Sequence, residues 1–82
     1  MVSEKDSDML YVRVTRITQT YLGPAADRFV TRQIRNHLRK DPEQLARKDL
    51  NDLIDWIRVA MGYITEDSEL VNEYVDKLKA LV

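Results

Sequence analysis

The sequence predicts an all-α fold: a compact four-helix domain with short connections and an additional short helical turn near 42–46. Three observations carry that reading. Apolar residues recur at helical spacing along most of the chain. Two glycines and two prolines in 82 residues are too few for the turns of an all-β fold. Gly23-Pro24 and Asp41-Pro42 stand where helices would stop and restart. At 44% hydrophobic residues the chain can form one small core, but only a just adequate one. The expected organisation is a polar arm over 1–8 and a single helical domain over 9–82.

The first helix is expected from Met9 to Leu22. "YVRVTRIT" is rich in β-branched residues and competes as a strand, but its alternation breaks at Arg16 and Thr18. Leu10, Val14, Ile17 and Tyr21 instead fall on one helical stripe, with Ser7 or Asp8 as cap. Gly23 suits the left-handed position after a helix, and Pro24 suits the first turn of the next. The second helix should run from Pro24 to about Lys40 and end at Asp41-Pro42. "DPEQ" then starts a short turn through Ala46, because Asp, Pro and Gln occupy cap-like positions. Leu50, Leu53, Ile54, Ile57, Met61 and Ile64 predict a third helix over about 49–64. Leu70, Val71, Tyr74, Val75, Leu78 and Leu81 predict a fourth over about 66–81. Thr65 is its expected cap, with Glu66 and Asp67 in the first turn, where the helix dipole favours acids.

Several function classes are excluded or disfavoured by composition. No cysteine is present, so neither disulfides nor thiolate metal sites arise. No apolar run approaches the roughly 18–20 residues that span a bilayer. The start "MVSEKDSD" lacks the apolar core of a signal peptide. A soluble cytoplasmic protein or excised domain, with no membrane partner, is expected. The net charge of −1 hides an uneven distribution. Residues 1–10 carry three acids and one lysine, residues 11–40 seven basic residues and one acid, and residues 41–82 five basic and ten acidic residues. Opposite patches of this kind steer association and set register.

Arg28, Arg32, Arg35 and Arg39 fall within about 60° of one another on an ideal helix. They point away from Ala26, Val30, Ile34 and Leu38. That stripe reads in three ways: a solvated face, a surface for an acidic protein such as the acidic half of another copy, or a nucleic-acid contact. Nucleic acid is weakened by the absence of basic excess and of aromatic residues between the arginines. Arg13 and Arg16 on the first helix would extend the patch. A phosphate site at Gly23-Pro24 is disfavoured, since Pro24 has no N–H and Asp27 places a negative charge in the first turn.

His37, the only histidine, projects into the apolar arc of the second helix on ideal geometry. With no cysteine and no acid at matching spacing it is a poor metal ligand. No nucleophile and orienting group accompany it. It reads as a partly buried, hydrogen-bonded structural residue. Carboxylates such as Asp52 and Asp55 share a face, but nothing suggests the pocket that would raise one pKa. No catalytic residue, cofactor or metal is therefore expected, and the chain does not read as an enzyme. On the third helix, Trp56, Val59, Ala60 and Tyr63 lie beside the main stripe and widen the apolar arc. Such a flank marks either a central helix packed on two sides or an exposed partner surface, and Trp and Tyr are enriched at interface centres.

At "YLGPAADRFVTRQI" the chain resembles a small helical domain found towards the ends of some bacterial serine/threonine protein kinases and other signalling proteins. In that family a helix ending in an aromatic residue or Leu precedes Gly-Pro-x-Ala, then a Val and an Arg. Tyr21, Leu22, Gly23, Pro24, Ala26, Val30 and Arg32 match, and "DLNDLIDWI" resembles the family's next helix. The likeness covers about residues 10–60. It implies an accessory interaction or regulatory domain and carries no catalytic residues. The expectation is a non-enzymatic, self-associating interaction module of bacterial signalling, in the first instance a homodimer. Its candidate contacts are Trp56, Val59, Tyr63, Arg28, Arg32, Arg35 and Arg39, with Gly23, Pro24 and His37 structural. Glu69, Glu73 and Asp76 on the last helix are the candidate acidic complement. The alternative is a nucleic-acid-binding regulator using the arginine-rich second helix.

Overall fold

The computed structural model describes residues 9–82, and the described residues form helices and tight helical turns with no strand among them. The all-α expectation therefore holds. Three helices are long and regular: α1 (Leu10–Leu22), α3 (Leu50–Ile64) and α4 (Ser68–Lys79). The second, α2, is short, with α geometry only over Ala26–Gln33. The expected arm over 1–8, and the Ser7 or Asp8 cap, lie outside the described residues.

α1 is helical despite its β-branched run because its threonines can be buried without loss. The Thr15 hydroxyl donates to the Tyr11 carbonyl at 2.7 Å, and the Thr18 hydroxyl donates to the Val14 carbonyl at 2.8 Å. Each polar group is thus satisfied within its own helix. Val14 is fully buried, while Leu10, Ile17 and Tyr21 pack against the core from its edge. Gly23 ends α1 at φ 57°, ψ −132°, a conformation that glycine adopts without a side-chain penalty. A 3₁₀ turn over Gly23–Ala25 with Pro24 in its first turn leads into α2.

The second helix ends earlier than the sequence suggests. After Gln33 it widens into a π turn over Ile34–Leu38, and Arg39 takes a left-handed conformation at φ 58°, ψ 38°. That reversal, not Asp41-Pro42, terminates it. Asp41-Pro42 does start a 3₁₀ turn over Pro42–Gln44, in which the Asp41 N–H donates to the Gln44 side-chain oxygen at 3.0 Å. A further 3₁₀ turn, Arg47–Asp49, was not expected. It is pinned by Asp49, whose carboxylate accepts from Lys40 at 2.7 Å and from the Ala46 N–H at 3.0 Å. The Lys40 hydrogen bond holds the Asp49 carboxyl below the ordinary carboxylate range.

α3 buries Leu50, Leu53, Ile54, Ile57 and Met61 as its periodicity requires. Ile64 departs from that stripe and stays 52% exposed, because it is the last helical residue and the chain turns extended at Thr65. α4 starts later than expected. Asp67, not Thr65, is its cap, accepting from the Leu70 N–H at 3.1 Å, and only Glu69 remains as a first-turn acid. Thr65 instead accepts from the Asp67 N–H at 3.0 Å and shapes the connection.

Inside, Tyr74 is the largest fully buried side chain. Its hydroxyl lies 2.6 Å from Thr18 Oγ1. Since the single Thr18 hydroxyl proton is directed at Val14, Tyr74 is the donor. Burial pushes the Tyr74 hydroxyl up to about 12. Tyr74→Phe should cost about 1 kcal/mol in urea unfolding, because Thr18 keeps its bond to Val14. Wild-type stability should also fall as pH rises from 10 towards 12. The unfolded hydroxyl ionises there while the folded one holds its proton. The phenylalanine variant should lack that component of the decline.

Candidate functional site

Six large hydrophobic side chains are exposed among the described residues, and four of them, Trp56, Val59, Tyr63 and Ile64, lie on α3 from its middle to its end. Their position follows from the width of the apolar arc. Leu53, Ile57 and Met61 turn inward; on ideal geometry Trp56, Tyr63 and Val59 lie about 100°, 120° and 160° from the centre of that stripe, and Ile64 is exposed as the last residue of the helix. Tyr63 is 90% exposed, well beyond what a ring at the edge of a core shows. Trp56 is 42% exposed, and it has one neighbour of note.

That neighbour is His37, placed here by the π turn. A π turn winds each residue through less than the 100° of an α-helix, so side chains after Ile34 fall progressively behind the ideal stripe. His37 therefore leaves the apolar arc, contrary to the sequence reading, and is exposed. Its ring stacks on Trp56 with centroids 3.9 Å apart and planes 5° from parallel. In place of the expected partly buried, hydrogen-bonded position, the ring covers one face of the indole.

The same turn divides the arginine stripe. Arg28, Arg32 and Arg35 line one open groove with Asp27, Thr31 and Asn36. Arg39, in its left-handed conformation, lies instead beside Lys40, Asp41 and Gln44. Arg35 also lines that second depression, with its Nε 4.0 Å from an Asp41 carboxylate oxygen, and both side chains are solvated. Such a pair contributes little. Arg28 and Arg32 make no ion pair among the described residues.

On their other side, Arg28 and Arg32 border a groove of about 340 Å³ between α2 and α3. Phe29, Ala60, Tyr63 and Ile64 supply its apolar walls, and Gln33 also lines it. Gln33 is only 7% exposed, and its Oε1 has no hydrogen-bond partner among the described residues. A buried carbonyl without a donor is costly and uncommon. Sequence reasoning missed both Gln33 and Phe29. A glutamine on the apolar side of an arginine-rich helix was the available signal.

The acids of α4 are placed differently from the arginines. Glu73 Oε2 accepts from the Tyr21 hydroxyl at 2.7 Å and lies 3.6 Å from Lys77 Nζ, so its charge is engaged within the chain. Glu69 and Asp76 are exposed. Among the described residues no group of three or more His, Cys, Asp or Glu is placed to hold a metal, and no helix is long and apolar enough to cross a membrane.

Comparison with protein-family models, with curated proteins and with solved structures gives no match to this chain. The likeness around Gly23-Pro24 thus assigns no family, and function rests on the surface itself.

The stack makes a direct prediction. His37 is the only histidine, so its ring protons are unambiguous in an NMR spectrum. They should resonate upfield of a peptide histidine, shielded by the indole, and return towards peptide values in Trp56→Ala. An aromatic pair contributes at most about 0.5–1.5 kcal/mol, and this exposed one should lie at the lower end in the unfolding of His37→Ala.

Proposed function

We propose that the chain is a non-enzymatic protein-interaction module, a regulatory unit of bacterial signalling that works in the cytoplasm and self-associates through the exposed flank of α3. The observation that carries this reading is the concentration of exposed apolar side chains at Trp56, Val59, Tyr63 and Ile64, beside Arg28 and Arg32, which make no ion pair among the described residues. Large apolar clusters with a charged border mark interaction sites on soluble proteins. The likeness to accessory domains of signalling proteins points the same way.

Magnitudes assign the roles. One aromatic anchor buried at an interface centre can contribute about 2 kcal/mol or more. A rim charge pair contributes only about 0.2–1 kcal/mol. The α3 flank would therefore supply affinity, while Arg28, Arg32 and Arg35 would choose register and partner. Arg39, turned aside, would take no direct part.

A second reading, a nucleic-acid-binding regulator, has one observation in its favour: Arg28, Arg32 and Arg35 share a groove. It requires steeply salt-dependent binding. Asp27 lies in that groove, and the one tryptophan already has a face occupied by His37.

Light scattering over low micromolar to millimolar protein, at low and high salt, tests the proposal. The expected result is a monomer–dimer transition that persists at high salt. A monomer under every condition would contradict self-association, and tight duplex binding abolished by salt would favour the second reading.

A further inference from the structure

The α2–α3 groove has two unmet requirements. Its walls at Phe29, Ala60 and Ile64 are apolar and call for an apolar occupant. The two cations on its border, Arg28 and Arg32, call for a carboxylate. An aromatic ring with an acid a few residues away meets both.

The chain displays such a segment itself. In "YITED", Tyr63 offers a ring at 90% exposure, and Glu66 follows three residues later. Glu66 is exposed and makes no ion pair among the described residues. Tyr63 also stands on the lip of the groove it would fill in another copy. Donor segment and acceptor groove are therefore adjacent, as a two-fold interface requires when the same patch meets itself.

We propose that two copies exchange Tyr63 reciprocally: the ring of each enters the α2–α3 groove of the other, and Glu66 pairs with Arg28 and Arg32. This rests on the self-association proposed above and names the contacts that would produce it. It replaces the acids of α4 with Glu66 as the complement of the arginines, because Glu73 is held by Tyr21 and Lys77. Both copies carry the same contacts, so each interaction occurs twice.

Charge reversal with mixing tests the exchange on the full chain, with mass read by sedimentation velocity. Glu66→Arg alone should be monomeric where the wild type is dimeric, and so should the Arg28→Glu, Arg32→Glu double variant. Mixed one to one, the two should form a heterodimer, because each of the two symmetric contacts then pairs opposite charges. Tyr63→Ala, which removes the ring, should raise the dissociation constant at least about tenfold. All these substitutions lie on exposed positions, and circular dichroism would verify folding. A dimer whose mass ignores both charge reversals and Tyr63→Ala would overturn the exchange while leaving self-association through another part of α3. A wild type that never dimerises would overturn both.

Discussion

The hydroxyl of Tyr74 must be satisfied inside the core, and the group that satisfies it is Thr18, across the bundle on α1. A fully buried phenol that lost this partner would incur a desolvation cost of about 1–3 kcal/mol, so α1 and α4 are held in one register. Once they are, the neighbouring polar groups follow. The Tyr21 ring lies 4.9 Å from that of Tyr74, Lys77 Nζ stands 5.3 Å from the centre of the Tyr21 ring, and Glu73 takes the Tyr21 hydroxyl. The seam between α1 and α4 thus uses its own charges. Among the described residues, the opposite side, where α2 meets α3, keeps two arginines without an ion pair and a carbonyl without a hydrogen-bond partner.

That asymmetry suits a chain of this size. A domain of about 80 residues buries only some 60% or so of its unfolded surface, and one core cannot cover a wide helix on all sides. α3 has the widest apolar arc, and its inward stripe is complete from Leu50 to Met61. What remains outward, Trp56, Val59, Tyr63 and Ile64, is surplus to the core. The short α2 leaves it uncovered, since a helix that continued regularly past Gln33 would present different side chains to Trp56. The π turn is therefore more than an irregular ending. It brings His37 against the indole and separates Arg39 from the other arginines.

Much of this was legible in the sequence. The spacing of Leu50, Leu53, Ile54, Ile57 and Met61 admits only a helix, and Gly23-Pro24 marks a junction by the geometry of two residue types. Trp56, Val59 and Tyr63 stood out as an apolar flank because they fall beside that stripe. Whether the flank was covered could not be read, since this depends on which helix lies next to it. The π turn was equally invisible. Ile34–Leu38 continues the helical pattern, and only the left-handed Arg39 and the pinning of Lys40 by Asp49 fix where that pattern stops. The misassigned cap at Thr65 has a simpler cause. Thr65 and Asp67 are both competent caps two residues apart, and Asp67 is preferred once Thr65 is extended and accepts from the Asp67 N–H.

In the proposed dimer the outward flank of α3 is covered by a second copy of the chain. Trp56 is the only tryptophan and sits on that flank, so its fluorescence reports the surface directly. The most direct measurement is its emission maximum and acrylamide quenching as the protein is diluted from millimolar to low micromolar at fixed pH. The account predicts blue-shifted, shielded emission at high concentration, moving through one transition to a red-shifted, readily quenched state. Emission and quenching that stay constant across the whole range would contradict it.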